Sequence, residues 1–407
     1  MSSSYWKYIA YILCLFLAQP GDVMAQHRVV LSEIDGAPLV RTEGGPKYDG
    51  ALFAVEENFI SGFGRGEPGW QRFNSIPGIL VAPDGKMVLT DSRKCAIYIL
   101  TRDGELIIQM GGSGSEPGEF RQLDKIMWVV QGGSFLVFDN ALNRATRFSI
   151  SGELIDTELF MADMRDRVMR CIPLGDDRYL ERTRTASGRR VVGQPVNEIV
   201  QFWFLNSRFE ADSNPIELTV QTHFAISSSA RGQIPYTRDP EIVPFPDGRL
   251  LLSNPDNNRL VVLSSAGDPM LYIERDWDRP GLSIDDIREG RRPWVEDDRS
   301  WIQEFADQIP FPNRHTAYSR AFPDDRGRIW VEYVDGPTPA TVSTDYCRYD
   351  IFGPDGVWLG IQEFDFYPWL ISGDHVYRRL DIEAEGPGIR RYSLRPLVPE
   401  AAGVIRR

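Results

Sequence analysis

The stretch Pro83–Asp91 reads PDGKMVLTD, a glycine turn followed by a short apolar strand that ends at an aspartate. A second glycine, Gly104, follows that aspartate by 13 positions. The same two spacings recur in two further copies, namely Gly133, Asp139, Gly152 and Gly248, Asn254, Gly267. Repetition at a fixed spacing is typical of an architecture built from one supersecondary unit, and it therefore weighs more than any single motif in this chain.

Each repeat contains four short strands separated by polar turns. In the first copy the apolar strands occupy 79–82, 87–89 and 96–100, and Asp-Gly pairs stand at 84–85 and 103–104. An Asp-Gly pair between apolar runs indicates a tight hairpin, because a type I′ turn needs positive φ at both central residues. The unit is therefore a four-stranded antiparallel sheet, and such sheets bury their faces by packing radially against further copies.

Six copies can be counted along the chain. Their marker glycines are separated by 48, 42, 73, 79 and 46 positions and are Gly85, Gly133, Gly175, Gly248, Gly327 and Gly373. The spacing predicts an all-β fold, a six-bladed β-propeller of four-stranded antiparallel blades with a short helical insertion. Extra strands at 28–31 and 51–55 precede the first marker, and we expect an N-terminal strand to complete the last blade and remove its open edge.

Two glycine-rich linkers suggest a family. Residues 112–120 read GSGSEPGEF, residues 138–148 read FDNALNRATRF, and residues 64–69 read GRGEPG. These stretches resemble NHL-type propeller repeats, and with the six markers the chain resembles the extracytoplasmic six-bladed β-propeller proteins of bacteria that are NHL-like or TolB-like. The resemblance covers roughly residues 28–395. It departs from the NHL pattern in blades three, five and six, where the polar turn residue is replaced by Glu181, Tyr333 and Arg379.

The first 25 residues have the features of a signal peptide. A cationic start with Lys7 precedes an apolar run at 9–18, a Pro-Gly break at 20–21 and the small-residue motif VMA at 23–25. The apolar run is too short to span a bilayer, so we expect no transmembrane segment in the mature chain. The predicted organisation is a signal peptide at 1–25, a propeller at 26–398 with its helical insertion at about 278–313, and a C-terminal tail at 399–407. The predicted location is periplasmic or secreted.

Charge restricts the partners of this protein. The chain has 45 basic and 58 acidic side chains, a net charge of −13, which excludes nucleic acid as a partner of the whole surface. Arginines nevertheless cluster in the two stretched intervals, as Arg182, Arg184, Arg189, Arg190 and as Arg288, Arg291, Arg292. These clusters either face a small anionic ligand, such as a carboxylate or phosphate, or pair with aspartates in solvated loops. We take Arg182 and Arg292 as candidate ligand-binding residues.

The spacing of the four histidines gives little indication of a metal-binding site. They are His27, His223, His315 and His375, and none has a His-x-x-x-His spacing. Because ligands in a propeller can come from different blades, His223 and His315 remain candidates for a ligand site on the central axis, with Ca²⁺ or Zn²⁺ as a conceivable occupant. The alternative is that each is a surface or internally bonded histidine. We predict no cofactor, no metal ligand and no catalytic residue.

The second stretched interval predicts helices. Ser283 followed by two aspartates is typical of a helix N-terminus, and we expect this helix to end before Pro293. A second helix is expected at about 296–306, with Trp301, Ile302 and Phe305 on one apolar stripe. Two placements stay open at this point. The insertion either covers the mouth of the channel as a lid or wall, or it packs against a blade edge.

Two sets of polar residues have structural interpretations. Cys95, Cys171 and Cys347 form either one disulfide with a thiol left over or three buried thiols, and we favour the buried thiols. Asp91, Asp139 and Asn254 are expected to fix their turns by accepting backbone N–H bonds. The alternative is a ring of oxygens that binds Ca²⁺.

Three classes of function remain. The leading interpretation, implied by the resemblance, is an exported, non-catalytic binding or protein-interaction scaffold of the cell envelope. Its partner would be an envelope protein or a small anionic ligand, and we expect a monomer. The alternative is a metal-dependent lactonase- or lyase-like propeller enzyme with a site on the axis. The third class is a structural or assembly partner in the envelope, as TolB-like propellers suggest.

Overall fold

The computed structural model describes residues 27–402 with several gaps. The gaps are 59–72, 74, 83, 130–132, 140, 160–170, 176–177, 189, 228–229, 278, 298, 300–302, 304, 334–345 and 383–385. The predicted signal peptide, the 64–69 linker, Arg189, and Trp301 and Ile302 of the second predicted helix therefore lie outside the described residues.

The described residues form 28 strands in chain order. Three strands precede the first blade: β1 (Arg28–Ile34), β2 (Ala37–Glu43) and β3 (Phe53–Asn58). Blade 1 contains β4 (Ile79–Val81), β5 (Met87–Asp91), β6 (Ala96–Leu100) and β7 (Leu106–Gly111). Blade 2 contains β8 (Leu123–Val129), β9 (Ser134–Asp139), β10 (Arg144–Ser149) and β11 (Leu154–Leu159).

The third blade is followed by an inserted hairpin. Blade 3 contains β12 (Cys171–Gly175), β13 (Arg178–Ala186), β14 (Glu198–Leu205) and β15 (Ile216–Val220). The inserted hairpin consists of β16 (His223–Ala225) and β17 (Arg231–Gln233). Blade 4 then contains β18 (Glu241–Pro244), β19 (Leu250–Asn254), β20 (Arg259–Leu263) and β21 (Pro269–Arg275).

The last two blades follow the helical insertion. That insertion contains the helix α1 (Ile284–Val295) and a 3₁₀ turn at Ala306–Gln308. Blade 5 contains β22 (Arg320–Pro323), β23 (Ile329–Glu332), β24 (Cys347–Phe352) and β25 (Trp358–Phe364). Blade 6 contains β26 (Leu370–Ser372), β27 (His375–Ile382) and β28 (Gly386–Pro396), and a 3₁₀ turn follows at Pro399–Ala402.

Strand pairing confirms the predicted six-bladed β-propeller of four-stranded antiparallel blades. Within each blade the strands are hydrogen-bonded in sequence order, and the first strands of blades 1 and 2, of blades 2 and 3, and of blades 4 and 5 contact one another. In blade 6 the fourth position is taken by β3, which pairs antiparallel with β28. The expectation that an N-terminal strand completes the last blade is therefore confirmed, and the edge of β28 is paired.

The N-terminal segment 28–58 runs along the outside of three blades. The strand β2 pairs parallel with β21 of blade 4, and β1 extends that sheet to six strands. Next, the backbone N–H groups of Lys47 and Tyr48 donate to the carbonyls of Trp358 and Leu359 in blade 5. The segment then ends as β3 in blade 6. One continuous stretch of chain therefore links blades 4, 5 and 6.

Aromatic side chains fill the space between neighbouring blades. Trp330 of blade 5 is fully buried, and its ring stacks on that of Phe53 in blade 6 with centroids 5.8 Å apart. The same cluster contains Leu52, which is also fully buried. Large apolar side chains of this kind supply most of the burial that holds sheets face to face.

The polar turn residues accept backbone hydrogen bonds, as predicted. Asp91 accepts from the N–H groups of Arg93 and Lys94, and Asp139 accepts from that of Leu142. Asn254 accepts from the N–H of the residue two positions on. These turns join the second and third strands of their blades, and we call the side of the ring that carries them the polar-turn face.

Both insertions leave the ring at the polar-turn face. Because strands within a blade are antiparallel and follow in sequence order, the connections between blades lie on the same side as the turns between second and third strands. The inserted hairpin belongs to the connection 221–240, and α1 belongs to the connection 276–319. The fold therefore places both departures from the repeat on one face of the propeller.

The helix α1 begins as predicted and ends later than predicted. Ser283 caps its N-terminus in a capping box with Asp286, which confirms the expected start. Pro293 lies inside the helix, so the expectation of an end before this proline is wrong. The proline occupies the last turn, where it removes one hydrogen bond. The next bond, from the N–H of Glu296 to the carbonyl of Arg292, still forms.

The three mature-chain cysteines are separate, buried thiols. Cys95, Cys171 and Cys347 are not joined to one another by a disulfide, and none is more than 6% exposed. The favoured expectation of buried thiols is therefore confirmed, and they contribute to packing as small apolar side chains.

Candidate functional site

An open cleft of about 640 Å³ lies where blade 3 meets the inserted hairpin. The hairpin contributes His223 from β16 and Arg231 from β17, and blade 3 contributes Arg182, Thr183 and Arg184 from β13. The last lining residue is Asp239, which precedes the first strand of blade 4. We call this site the arginine cleft. It brings together two of the four candidate residues, Arg182 and His223.

Two of the three arginines of the cleft come from a blade strand and not from a loop. Arg182 and Arg184 were expected within an insertion, but both lie in β13. Part of the long separation between the marker glycines Gly175 and Gly248 is taken up by two long strands of blade 3, β13 with nine residues and β14 with eight. Because residues two apart in a strand point to the same side, both guanidinium groups reach the cleft.

Glu198 forms the base of the arginine cleft. Its side chain is fully buried at the start of β14. One oxygen, Oε2, accepts from Arg184 Nη1 at 2.8 Å and lies 3.0 Å from His223 Nδ1. The other oxygen, Oε1, accepts from Arg231. A buried carboxylate is stable only when it is paired, and here one carboxylate holds a blade strand and both strands of the hairpin.

Asp239 forms a second bridge at the side of the cleft. It accepts from Arg182 Nη2 at 2.7 Å and from the hydroxyl of Thr222 at 2.6 Å, and it also pairs with Arg184. Burial by itself raises the pKa of this carboxyl. Hydrogen bonds from Arg184 and Thr222 and the charge of Arg182 outweigh that effect and hold the pKa of Asp239 well below its usual range.

The surroundings of His223 favour the neutral form of its imidazole. Loss of hydration lowers the pKa of its imidazole, and the adjacent charge of Arg184 lowers it further, against a smaller opposing effect of Glu198. Its side chain is about one fifth exposed and lines the cleft. A neutral imidazole has one donor and one acceptor nitrogen, so its orientation determines what it offers to a ligand.

The cleft carries an excess of one positive charge. Three arginines, Arg182, Arg184 and Arg231, meet the two carboxylates of Glu198 and Asp239. Four neighbouring charged residues interact with this group, and counting them leaves the excess at one positive charge. The arginines are then Arg182, Arg184, Arg231, Arg238 and Arg320, and the carboxylates are Glu198, Asp239, Glu241 and Glu332. In a chain of net charge −13, this is a local cationic site.

The hairpin wall of the cleft is held from two sides. On one side, β16 bonds the 187–197 loop of blade 3, through the N–H of Val196 to the carbonyl of His223 at 2.8 Å and the N–H of Ala225 to the carbonyl of Gln194 at 3.0 Å. On the other side, Trp294 of α1 packs on Phe224 with ring centroids 5.3 Å apart.

The described contacts of α1 are with the inserted hairpin, which is neither the channel mouth nor the blade edge considered in the sequence analysis. The helix lies against the hairpin, where Gly290 fits beside Phe311 and Pro235, and Trp294 lies over Gly232. Trp294 and Phe311 belong to a small separate core with Phe224 and Ile234. The helical insertion is therefore the outer support of the wall of the arginine cleft.

The other two candidate residues lie outside the cleft. His315 Nε2 is 3.4 Å from Asp286 at the start of α1, and its ring meets that of Tyr236 edge-on with centroids 4.9 Å apart. It joins the two ends of the helical insertion and does not converge with His223. Arg292 lies on the exposed side of α1 and pairs with Glu289 at 2.6 Å.

The residues that the structure describes contain no cluster of metal-binding side chains. Among them, no three His, Cys, Asp or Glu side chains are grouped so as to hold a metal ion. None of the described helices has the length and apolar character needed to cross a membrane.

Sequence reasoning missed Glu198, Arg231 and Asp239. Glu198 opens the largely apolar strand EIVQFWFL, and a lone carboxylate at the start of such a strand is the one signal that points to it. Arg231 and Asp239 stand in stretches without periodicity, and only the folding of the hairpin onto blade 3 brings them to the cleft.

Fold and site together define a six-bladed β-propeller with a cationic cleft on its polar-turn face. No family model matches the chain, and no curated protein matches its sequence. Its fold is similar to that of a Bacteroides vulgatus member of the DUF4221 family, with 12% identity over 85% of this chain and 99% of the other and a TM-score of 0.49.

Two further solved structures are similar to this chain. One is a Bacteroides fragilis protein provisionally described as exported, with 11% identity over 88% of this chain and 99% of that chain and a TM-score of 0.45. The other is virginiamycin B lyase from Staphylococcus aureus, with 11% identity over 84% of this chain and 99% of that chain and a TM-score of 0.34. At these identities and TM-scores the likeness concerns the fold alone.

Proposed function

We propose that this protein is an exported β-propeller that acts as a non-catalytic binding scaffold and takes a small anionic ligand in the arginine cleft. The proposal places the protein in the periplasm or outside the cell. It leaves open whether the ligand is free or is an anionic group on an envelope protein, since both would present the same charge to the arginines.

One observation carries the proposal: three arginines and His223 surround two carboxylates in an open cleft with one positive charge in excess. Arg182 and Arg231 keep about a third of their side chains exposed while each donates to a carboxylate of the cleft. A guanidinium group has five N–H donors, so both arginines retain donors for a second anion. A monoanion would neutralise the site.

The proposal of export rests on the N-terminal sequence. A cationic start, a short apolar run and the VMA motif at 23–25 are the parts of a cleaved secretory signal. Expression of the full chain in a bacterium, followed by mass spectrometry of the protein from the periplasm or medium, tests it. We expect a mature chain that begins at Gln26. An intact N-terminus on cytoplasmic protein would contradict export.

Calorimetry with simple anions tests the binding proposal. We expect propionate and inorganic phosphate to bind the mature protein, and Arg182→Gln to weaken propionate binding by about tenfold or more, because a charge-assisted hydrogen bond is lost. The matched control is Arg292→Gln, which removes the same charge from the exposed side of α1. Absence of binding, or equal weakening by both variants, would contradict a site in the cleft.

A further inference from the structure

Two carboxylates of blade 4 have no ion-pair partner. Glu241 is the first residue of β18, and Asp256 lies in the turn between β19 and β20 on the polar-turn face. Both residues are exposed. Among the residues that the structure describes, neither carboxylate pairs with a cation or accepts a hydrogen bond.

Both carboxylates lie near Asp239 at the side of the arginine cleft. Glu241 follows Asp239 by two residues, which keeps their Cα atoms within about 7 Å of each other. The charge of Asp239 acts on Glu241 and on Asp256. The charge of Arg182, which donates to Asp239 at 2.7 Å, also acts on Glu241. The side of the cleft toward blade 4 is therefore bordered by two further negative groups.

The protein around these two groups restricts their hydration. Loss of hydration raises the pKa of Glu241, against the charges of Arg182 and Arg320. The same loss raises the pKa of Asp256, against the charge of Arg279. A carboxylate that has lost part of its water without gaining a partner is stabilised by a cation placed beside it.

The arginine cleft and its border thus present opposite charges on two sides. Blade 3 and the hairpin supply the donors of Arg182 and Arg231, which are partly exposed. Blade 4 supplies the acceptors of Glu241 and Asp256. A ligand with a negative charge alone would satisfy the arginines and leave its other end against two carboxylates.

We infer that the ligand of the arginine cleft is a zwitterion, a carboxylate that also carries an ammonium group, as in an ω-amino acid. The inference rests on the proposed function and specifies its ligand class. The arginines bind the carboxylate, and Glu241 and Asp256 accept hydrogen bonds from the ammonium group. Complementary charges at both ends fix the orientation of the ligand and select against simple anions.

Matched pairs of carboxylates test this inference with the unaltered mature protein. In each pair the fatty acid has a methyl group in place of the ammonium group of the amino acid. The pairs are 4-aminobutyrate with pentanoate, 5-aminopentanoate with hexanoate, and 6-aminohexanoate with heptanoate. By calorimetry at pH 7.5 we expect the amino acid of at least one pair to bind about 3- to 10-fold more tightly than the fatty acid, since a hydrogen bond to a charged group is gained.

The outcomes separate this inference from the proposed function. If fatty acids bind and no amino acid exceeds its fatty acid, the inference is overturned while the proposed function stands. If none of the six compounds binds, the proposed function itself fails.

A double variant ties the preference to the two carboxylates. Glu241→Gln with Asp256→Asn removes both charges at nearly constant shape, and we expect the amino acid and the fatty acid of the preferred pair to bind it with equal affinity. The matched control is Glu33→Gln with Asp35→Asn, which removes the same charges from the exposed N-terminal hairpin and should keep the preference. A preference that survives in the folded Glu241 and Asp256 variant overturns the role of these residues. The comparison of ligands on the wild type decides the ligand class even if the variant does not fold.

Discussion

Nδ1 of His223 lies 3.0 Å from Oε2 of Glu198, although one residue belongs to an inserted hairpin and the other to a strand of blade 3. The contact joins the inserted hairpin, which is not part of the propeller repeat, to blade 3, which is. Arg184 and Arg231 bond the same carboxylate from the blade and from the hairpin. Glu198 is thus the residue on which the geometry of the arginine cleft depends most.

The substitution Glu198→Gln should strongly destabilise the protein. It leaves cationic and donor groups around a buried site without their countercharge, and breaking a buried pair in this way costs about 3–5 kcal/mol. Urea denaturation of the variant and the wild type at pH 7.5 measures the change. The control is Glu33→Gln on the exposed strand β1, for which a change below about 0.5 kcal/mol is expected. Equal stability of both variants would show that Glu198 does not anchor the hairpin.

His375 should make the fold less stable in mild acid. Burial, together with the charges of Arg391 and Arg102, lowers the pKa of this histidine to about 4. In an unfolded chain the value is about 6.5, so between these values the unfolded state binds a proton that the folded state does not. The unfolding free energy should therefore fall as pH drops from about 6.5 to about 4 and change no further through this group below that range.

The effect of His375 can be isolated by substitution. Because the side chain is only half buried, solvent screens part of the interaction, and we expect a loss of about 1–2 kcal/mol across this range. His375→Gln should lose less stability than the wild type over the same interval, as measured by urea denaturation at several pH values. Parallel curves for the two proteins would assign the acid sensitivity to other groups.

The close packing of α1 on the hairpin depends on Gly290. A Cβ atom at this position would lie 2.7 Å from the ring of Phe311 and 3.0 Å from Pro235, so a leucine must push the helix away. We expect Gly290→Leu to speed hydrogen–deuterium exchange in α1 and in the hairpin and to leave blades 1 and 2 unchanged. Arg288→Leu adds the same side chain on the exposed side of the helix and should have little effect. Similar exchange in both variants would mean that the helix does not support the wall.

The N-terminal segment should stabilise the ring through the few side chains that it buries. Leu52 is fully buried in the core between blades 5 and 6, whereas Leu31 on the edge strand is 74% exposed. Replacement of a buried leucine by alanine costs about 2–5 kcal/mol, so Leu52→Ala should lower the unfolding free energy by that amount. Leu31→Ala should change it by less than about 0.5 kcal/mol. A small effect at Leu52 would show that the segment is not part of the cooperative unit.

The repeat was readable in the sequence because turn chemistry is local. Asp91, Asp139 and Asn254 each bond a backbone group within three residues along the chain, so their spacing survives as a pattern, and Asp139 also accepts from the N–H groups of Arg121 and Gln122. The closure by an N-terminal strand also follows from the need to pair a sheet edge. These features require no knowledge of distant contacts.

Only two of the four candidate residues predicted from the sequence lie in the cleft, because its geometry depends on distant contacts. Arg182 and His223 could be proposed from their residue types, but their partners are set by contacts between distant segments: Glu198 meets Arg231 33 residues on, and Asp239 meets Arg182 57 residues back. His315 and Arg292 have the same side-chain chemistry as the true lining residues, and only the fold separates them from the cleft. The end of α1 was also set by packing, since Trp294 holds the turn that contains Pro293.

The most direct test of the account compares two double variants for propionate binding by calorimetry at physiological salt. Arg182→Gln with Arg231→Gln removes two charges from the arginine cleft, and Arg288→Gln with Arg292→Gln removes two from the exposed side of α1. Both change the net charge equally. We predict a loss of about 100-fold or more for the cleft variant and an unchanged affinity for the helix variant, since exposed charges are screened beyond about 8 Å. Equal losses, or tight binding by the cleft variant, would contradict the assignment of the anion site.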